Sequence, residues 1–151
     1  MTYPPFVVRV YGVYRHPEKG VLVSDEWIQG KRITKFPGGG LEFGEGTREC
    51  LIREMQEETG QLFSVLGHFY TTDFFVPSAF DDTRQVISIY YDMEPVEELG
   101  FDVVDELVHD SVLSEASQVF RWIPFSQIGG SHFSLIIDQH VGGLIKAESS
   151  H

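Results

Sequence analysis

The stretch "GGGLEFGEGTRECLIREMQEETGQ", Gly38–Gln61, holds the pattern that decides the fold. It starts in a loop. Pro37–Gly46 has five glycines in ten positions, which marks backbone that turns sharply or lets another group come close. A helix follows. Thr47 is a suitable N-cap, Glu49 suits the first turn, and Gly60 is a C-terminal stop after Thr59. At 100° per residue, Glu54, Glu57 and Glu58 share one face. Leu51, Ile52 and Met55 lie on an adjoining apolar face that anchors the helix in a core. Like charges at spacings of three and four destabilise an isolated helix by a few tenths of a kcal/mol each. Two readings remain open: a solvated acidic face, or a site for a hard cation. Mg²⁺ takes oxygen ligands and keeps several waters, so a rigid row of carboxylates suits it. Arg53 adjoins the triplet and can hold a carboxylate with its guanidinium fork.

From Gly39 the order is Gly, five residues, Glu45, seven residues, then Arg53-Glu54-Met55-Gln56-Glu57-Glu58-Thr59-Gly60. This resembles the signature box of the Nudix hydrolases, in a MutT-like, single-domain form. Gln61 stands where the pattern has an apolar residue, and Leu62 follows it. The resemblance implies a Nudix-type α/β/α sandwich with a mixed sheet between helices. It implies Mg²⁺, with Mn²⁺ as an alternative, held by Glu54, Glu57, Glu58 and the backbone carbonyl of Gly38. It also implies that Arg53 orients Glu54 or Glu57, and that Glu45 pairs with helix or loop groups. Glu57 is the first candidate for general base and Glu115 the downstream one, with Glu97, Glu98 and Glu106 in competition.

Outward from the box, the chain alternates strand and turn signals. Phe6–Tyr14, Val21–Trp27 and Lys31–Phe36 read as strands before it. Ser64–Phe75, Gln85–Met93 and "QVFRWI", Gln118–Ile123, read as strands after it. Val103–Val108 and "PFSQI" read as short helices. Ser131 reads as the cap of a last helix over Phe133–Lys146, although Gly142 and Gly143 weaken that pattern. One α/β domain over residues 1–151 is expected, with 146–151 as a frayed tail.

The chain has 151 residues, 42% of them hydrophobic, enough for a real core. Its net charge of −12 argues against nucleic acid, whose phosphates it would repel. A small polyanion bridged by divalent cations is compatible with that charge. Cys50 is the one cysteine, so no internal disulfide forms. No signal peptide or membrane span is visible, so a cytoplasmic protein is expected. Lys31, Arg32 and Lys35 precede the loop; Arg32 and Lys35 are candidate phosphate contacts, or guards of a strand edge. Among the aromatics, Phe80 and Tyr70 are the candidate substrate contacts.

The expected activity is Mg²⁺-dependent hydrolysis of a diphosphate bond in a nucleoside diphosphate linked to another moiety. Nucleoside triphosphates and nucleotide sugars are of this type, and the release is a nucleoside monophosphate or pyrophosphate. Pro77, sixteen residues past the box, makes ADP-ribose an alternative substrate. A non-catalytic nucleotide-sensing module is the alternative from another class. A small nucleotide is the expected partner, and the resemblance allows a homodimer.

Overall fold

The computed structural model describes residues 5–115 and 117–149. They form two compact units, residues 1–13 with 38–100, and residues 14–37 with 101–151. Each unit is discontinuous in sequence.

The first unit is built on a four-stranded sheet and one helix. Its strands are β1 (Phe6–Val13), β5 (Gly38–Gly40), β6 (Phe63–Thr71) and β7 (Gln85–Pro95), in the order β5-β1-β7-β6. β1 runs parallel to β7 and antiparallel to β5, so the sheet is mixed. Helix α1 (Thr47–Thr59) rests on its Cys50, Leu51 and Met55 side, all three fully buried. Burying a Leu or Met side chain contributes about 1.5–3 kcal/mol, well above the small repulsions on the acidic face.

The N-terminus of α1 differs from expectation. The N-cap is Gly46, and Thr47 is already helical. Glu49 reaches back to accept the Gly46 N–H, while the Thr47 hydroxyl pairs with the Tyr91 hydroxyl at 2.6 Å. The glutamate supplies the capping hydrogen bond, which frees the threonine for a tertiary contact. The C-terminus is as expected, with Gly60 left-handed at φ 74°. Gln61 does not pack as an apolar residue. Its amide donates to the Glu98 carbonyl and accepts from the Gly100 N–H, and Phe63 fills the core instead. β6 ends at Thr71 rather than Phe75, because the chain breaks away after two register shifts against β7.

The second unit holds a five-stranded sheet of β2 (Arg15–His16), β3 (Gly20–Ile28), β4 (Lys31–Lys35), β8 (Val103–Val104) and β9 (Gln118–Ile123). β3 pairs antiparallel with β2, β4 and β9. The expected helix at Val103–Val108 is absent. β-branched Val103 and Val104 pair in parallel with Phe120 and Arg121, and a 3-10 turn follows only at Asp110–Val112. "PFSQI" makes one tight turn onto the Pro124 carbonyl rather than a helix. The last helix, α2, spans Ile136–Ser149. It starts later than expected because Gly130–His132 forms a 3-10 turn, so Ser131 is no cap. It also runs past Lys146 through part of the expected tail; residues 150–151 lie outside the described residues. Gly142 is tolerated in α2 because a Cβ there would stand 2.7 Å from the Phe133 ring. Among the described residues, no helix is long and apolar enough to cross a membrane.

Candidate active site

The site is organised around Arg53 of α1. Its Nε donates to Glu45 Oε2 at 2.9 Å and its Nη2 to Glu45 Oε1 at 2.7 Å, a bidentate pair. Nη1 donates to Glu54 Oε1 at 3.0 Å and to Glu57 Oε2 at 3.1 Å. Nη2 also donates to the Gly40 carbonyl at 3.0 Å. All five N–H groups of the guanidinium are thereby used. Glu42 adds a carboxylate 3.6 Å from Nη1. Arg53 thus meets both carboxylates that its position in the sequence offered, and a cation offsets the repulsion within the acidic row.

Glu45 closes the loop onto the helix. Its Oε1 also accepts the Glu42 N–H at 2.9 Å. The Arg53 hydrogen bonds, then that amide, hold its carboxyl down at about 2. The Arg53 guanidinium is pushed up, chiefly by Glu45. Cys50 is buried beside them, its Sγ 3.5 Å from the Gly40 carbonyl. Burial, then Glu45, pushes that thiol up to about 12, so it stays protonated.

The glycines of β5 are needed for close approach. A Cβ on Gly39 would lie 2.4–2.6 Å from the Glu54 carboxylate. Gly38 has φ +144°, and a Cβ there would meet the Val10 carbonyl at 2.1 Å. Glu54 is therefore seated directly on the loop backbone, with 16% of its side chain exposed. Glu57 is the open member of the row, with 58% of its side chain exposed. Glu58 places its Oε2 in a buried position.

This donor set is oxygen throughout and fits a hard cation in chemistry. Among the described residues, no three Asp, Glu, His or Cys side chains already converge on a metal position. Mg²⁺ does not need such a cage, because it binds through one or two carboxylates and completes its shell with water and substrate phosphate.

The other predicted residues lie elsewhere. In the second unit, Arg32 pairs with Asp110 at 2.8 Å and bonds the Val108 carbonyl, and Lys35 is buried against Glu26 at 2.9 Å. Arg32 is thus tied to the 3-10 turn at Asp110–Val112 and Lys35 to β3 of its own sheet. Glu115 has a similar local task. Its two oxygens accept the backbone N–H groups of Gln29 and Gly30 at 2.8 and 3.4 Å, which caps the turn between β3 and β4. Phe80 is about half exposed, in the loop before β7. Sequence reasoning missed Glu42 and the Gly39 contact with Glu54. Only the run of three glycines hinted at the latter.

A family model described as "NUDIX domain" matches residues 5–140. No curated protein matches the sequence at a significant level. Among solved structures, the chain is similar to a MutT protein from Methanosarcina mazei Go1, with TM-score 0.66, 20% identity and all of both chains covered. It is similar to a NUDIX hydrolase from Nitrosomonas europaea, with TM-score 0.68 and 15% identity, over 99% of this chain and 75% of that one. It is also similar to a protein described as an ADP-ribose pyrophosphatase from Streptococcus suis 89-1591, with TM-score 0.60 and 13% identity, over 98% and 93%. At these identities the likenesses show the fold, the α/β/α class with mixed sheets.

Proposed function

The chain belongs to the Nudix family, as a MutT-like pyrophosphohydrolase, and on that premise we propose that it cleaves a diphosphate bond in a nucleoside diphosphate linked to another moiety. The observation that supports this most is the intact charged row of the box, with Glu54 and Glu57 held by Arg53 and Glu54 seated on Gly39. A module that only sensed a nucleotide would have no use for an exposed carboxylate fixed beside two others.

Glu54, Glu57, Glu58 and the Gly38 carbonyl would hold Mg²⁺. That ion would supply neutralisation of phosphate charge and acidification of a bound water. Arg53 fixes the directions of Glu54 and Glu57 and keeps them from splaying apart. Glu57 is the general base, because one of its oxygens is tied to Arg53 while the side chain stays open to solvent. In the balanced step, a water oxygen bonds to phosphorus, Glu57 takes its proton, and the bond from phosphorus to the bridging oxygen breaks. A monophosphate and a second phosphorylated product leave. A small nucleotide bridged to the acidic row by a divalent cation is the substrate class, and the cytoplasm is the compartment in this reading.

The test is a turnover panel of nucleoside triphosphates, ADP-ribose, nucleotide sugars and dinucleoside polyphosphates, with and without Mg²⁺. Glu57→Gln should lose roughly 10²–10⁴-fold in rate while keeping its fold. Binding without turnover of any compound would instead support the sensing module. ADP-ribose stays on the panel because of Pro77, which forms an antiparallel bridge with Gln85 at the start of β7.

A further inference from the structure

One aromatic side chain of the first unit stands outside its packed layers. Phe43 lies in the loop between β5 and α1 and is exposed over its whole surface, at 108%. Among the described residues the next most exposed large apolar side chain is that of Phe75, at 71%.

Scattered exposed apolar residues are normal on a protein surface. Phe43 differs because its turn is fixed. It takes the second position of the turn Glu42–Glu45, which the Glu45 N–H closes onto the Glu42 carbonyl at 3.4 Å. Gly44, at the third position, has φ 97°, a value that glycine adopts without strain. The Glu45 carboxylate ties the same turn together by accepting the Glu42 N–H at 2.9 Å. Arg53 then grips that carboxylate with two hydrogen bonds. The turn that carries the ring is thus anchored by the guanidinium that orients Glu54 and Glu57. Burying a phenylalanine is favourable, and this turn forgoes it.

The ring also starts close to the acidic row. Glu42, the residue before it, brings a carboxylate 3.6 Å from the same Arg53 Nη1 that pairs with Glu54 and Glu57. Consecutive Cα atoms are about 3.8 Å apart. All of these residues belong to the first unit. A nucleoside diphosphate whose phosphates are bridged to the row carries its base one sugar away from them. A flat ring fixed beside the row offers that base a stacking face, and stacking needs no charge. Residues 1–13 and 38–100 contain four arginines and thirteen acids, so a neutral contact adds affinity where the unit's own charge opposes an anion.

We propose that Phe43 stacks on the nucleobase of the substrate. The base lies against the turn and the phosphates lie over the row. Phe43 thereby favours diphosphates that carry a nucleobase over those that do not. The inference deepens the hydrolase reading and rests on it for the identity of the ligand.

The test titrates two non-hydrolysable compounds with Mg²⁺ into the full chain by calorimetry. One is α,β-methylene-ADP, which has a base; the other is methylenebisphosphonate, which has none. Nucleotide turnover is measured in parallel. Phe43→Ala should weaken α,β-methylene-ADP binding roughly 5- to 150-fold, the loss expected for one base–aromatic stack, and leave bisphosphonate binding unchanged. It should raise KM by a similar factor with kcat near wild type. The melting temperature should stay at the wild-type value, because the exposed ring packs on nothing. Phe43→Trp should keep the affinity, while Phe43→Leu, apolar but not flat, should recover little of it. Wild-type affinity for α,β-methylene-ADP in Phe43→Ala or Phe43→Leu overturns the proposal, as does an equal loss for both compounds or no wild-type binding of the nucleotide. Unchanged KM in Phe43→Ala with normal wild-type turnover sinks the stack and leaves the hydrolase intact. No wild-type turnover, with nucleotide binding that still depends on Phe43, sinks the hydrolase and keeps the stack.

Discussion

Arg53 explains how an acidic helix face is tolerated in a chain of net charge −12. A guanidinium offers five donors in a fixed plane, and here they reach three carboxylates and a carbonyl. A lysine could not do this, since its point charge has three donors and no fork. The pairing has a pH signature. The Glu45 carboxyl is lowered from 4.5 to about 2 by its bonds to Arg53 and the Glu42 amide. A depressed folded value means the unfolded chain takes up protons first as pH falls. The stabilisation is therefore complete above the unfolded value of 4.5 and lost on the way down to about 2. The melting temperature of wild type should exceed that of Glu45→Gln by a constant margin above about pH 5 and by a shrinking margin below about pH 4. A margin that stays flat down to about pH 2, or closes near neutrality, would contradict the clamp.

At the scale of elements, the β3–β4 hairpin shows how a surface acid acquires a local role. Gln29 and Gly30 have φ of 52° and 79°, both left-handed, as a two-residue hairpin turn of the I′ type demands. Glutamine is a poor choice for that region, and Glu115 compensates by accepting both turn amides. Glu115→Gln should keep near-normal turnover. It should lower the melting temperature by about 2–4 °C, the shift that about 1 kcal/mol produces in a chain of this size. A loss of turnover of about 100-fold with unchanged stability would favour Glu115 over Glu57 as the general base. α2 makes a similar point. Val141 and Ile145 are buried as the periodicity predicts, while Ile136, expected on the same face, is exposed. The buried stripe is Ile137, Val141 and Ile145, spaced four apart, and at 100° per residue Ile136 falls outside it.

At the scale of the molecule, the chain passes back and forth between its two units. Residues 1–37 supply β1 to one sheet and β2, β3 and β4 to the other. β1 lies between β5 and β7, and β3 pairs with β9, all of which come later in the chain. Neither half of a chain cut between Pro37 and Gly38 contains a complete sheet. The separate fragments 1–37 and 38–151 should each lack the cooperative melting of the whole and regain it when mixed, as followed by circular dichroism. Independent cooperative folding of either fragment would show that the sheets do not need the strands they borrow.

The sequence by itself determined the family, the box and most strands. These depend on short-range information: fixed spacings on one helix, period-two alternation, and glycines where backbone must turn or be approached. Gln118–Ile123 shows this, with bounds identical in sequence and structure. Only the tertiary structure decided which charges meet. Lys35 and Arg32 read as free cations until Glu26 and Asp110 were brought to them, the latter 78 residues away from Arg32. Electrostatic partnership depends on distance in space. A sequence reports distance along the chain, and the two agree only within a helix, a turn or a hairpin.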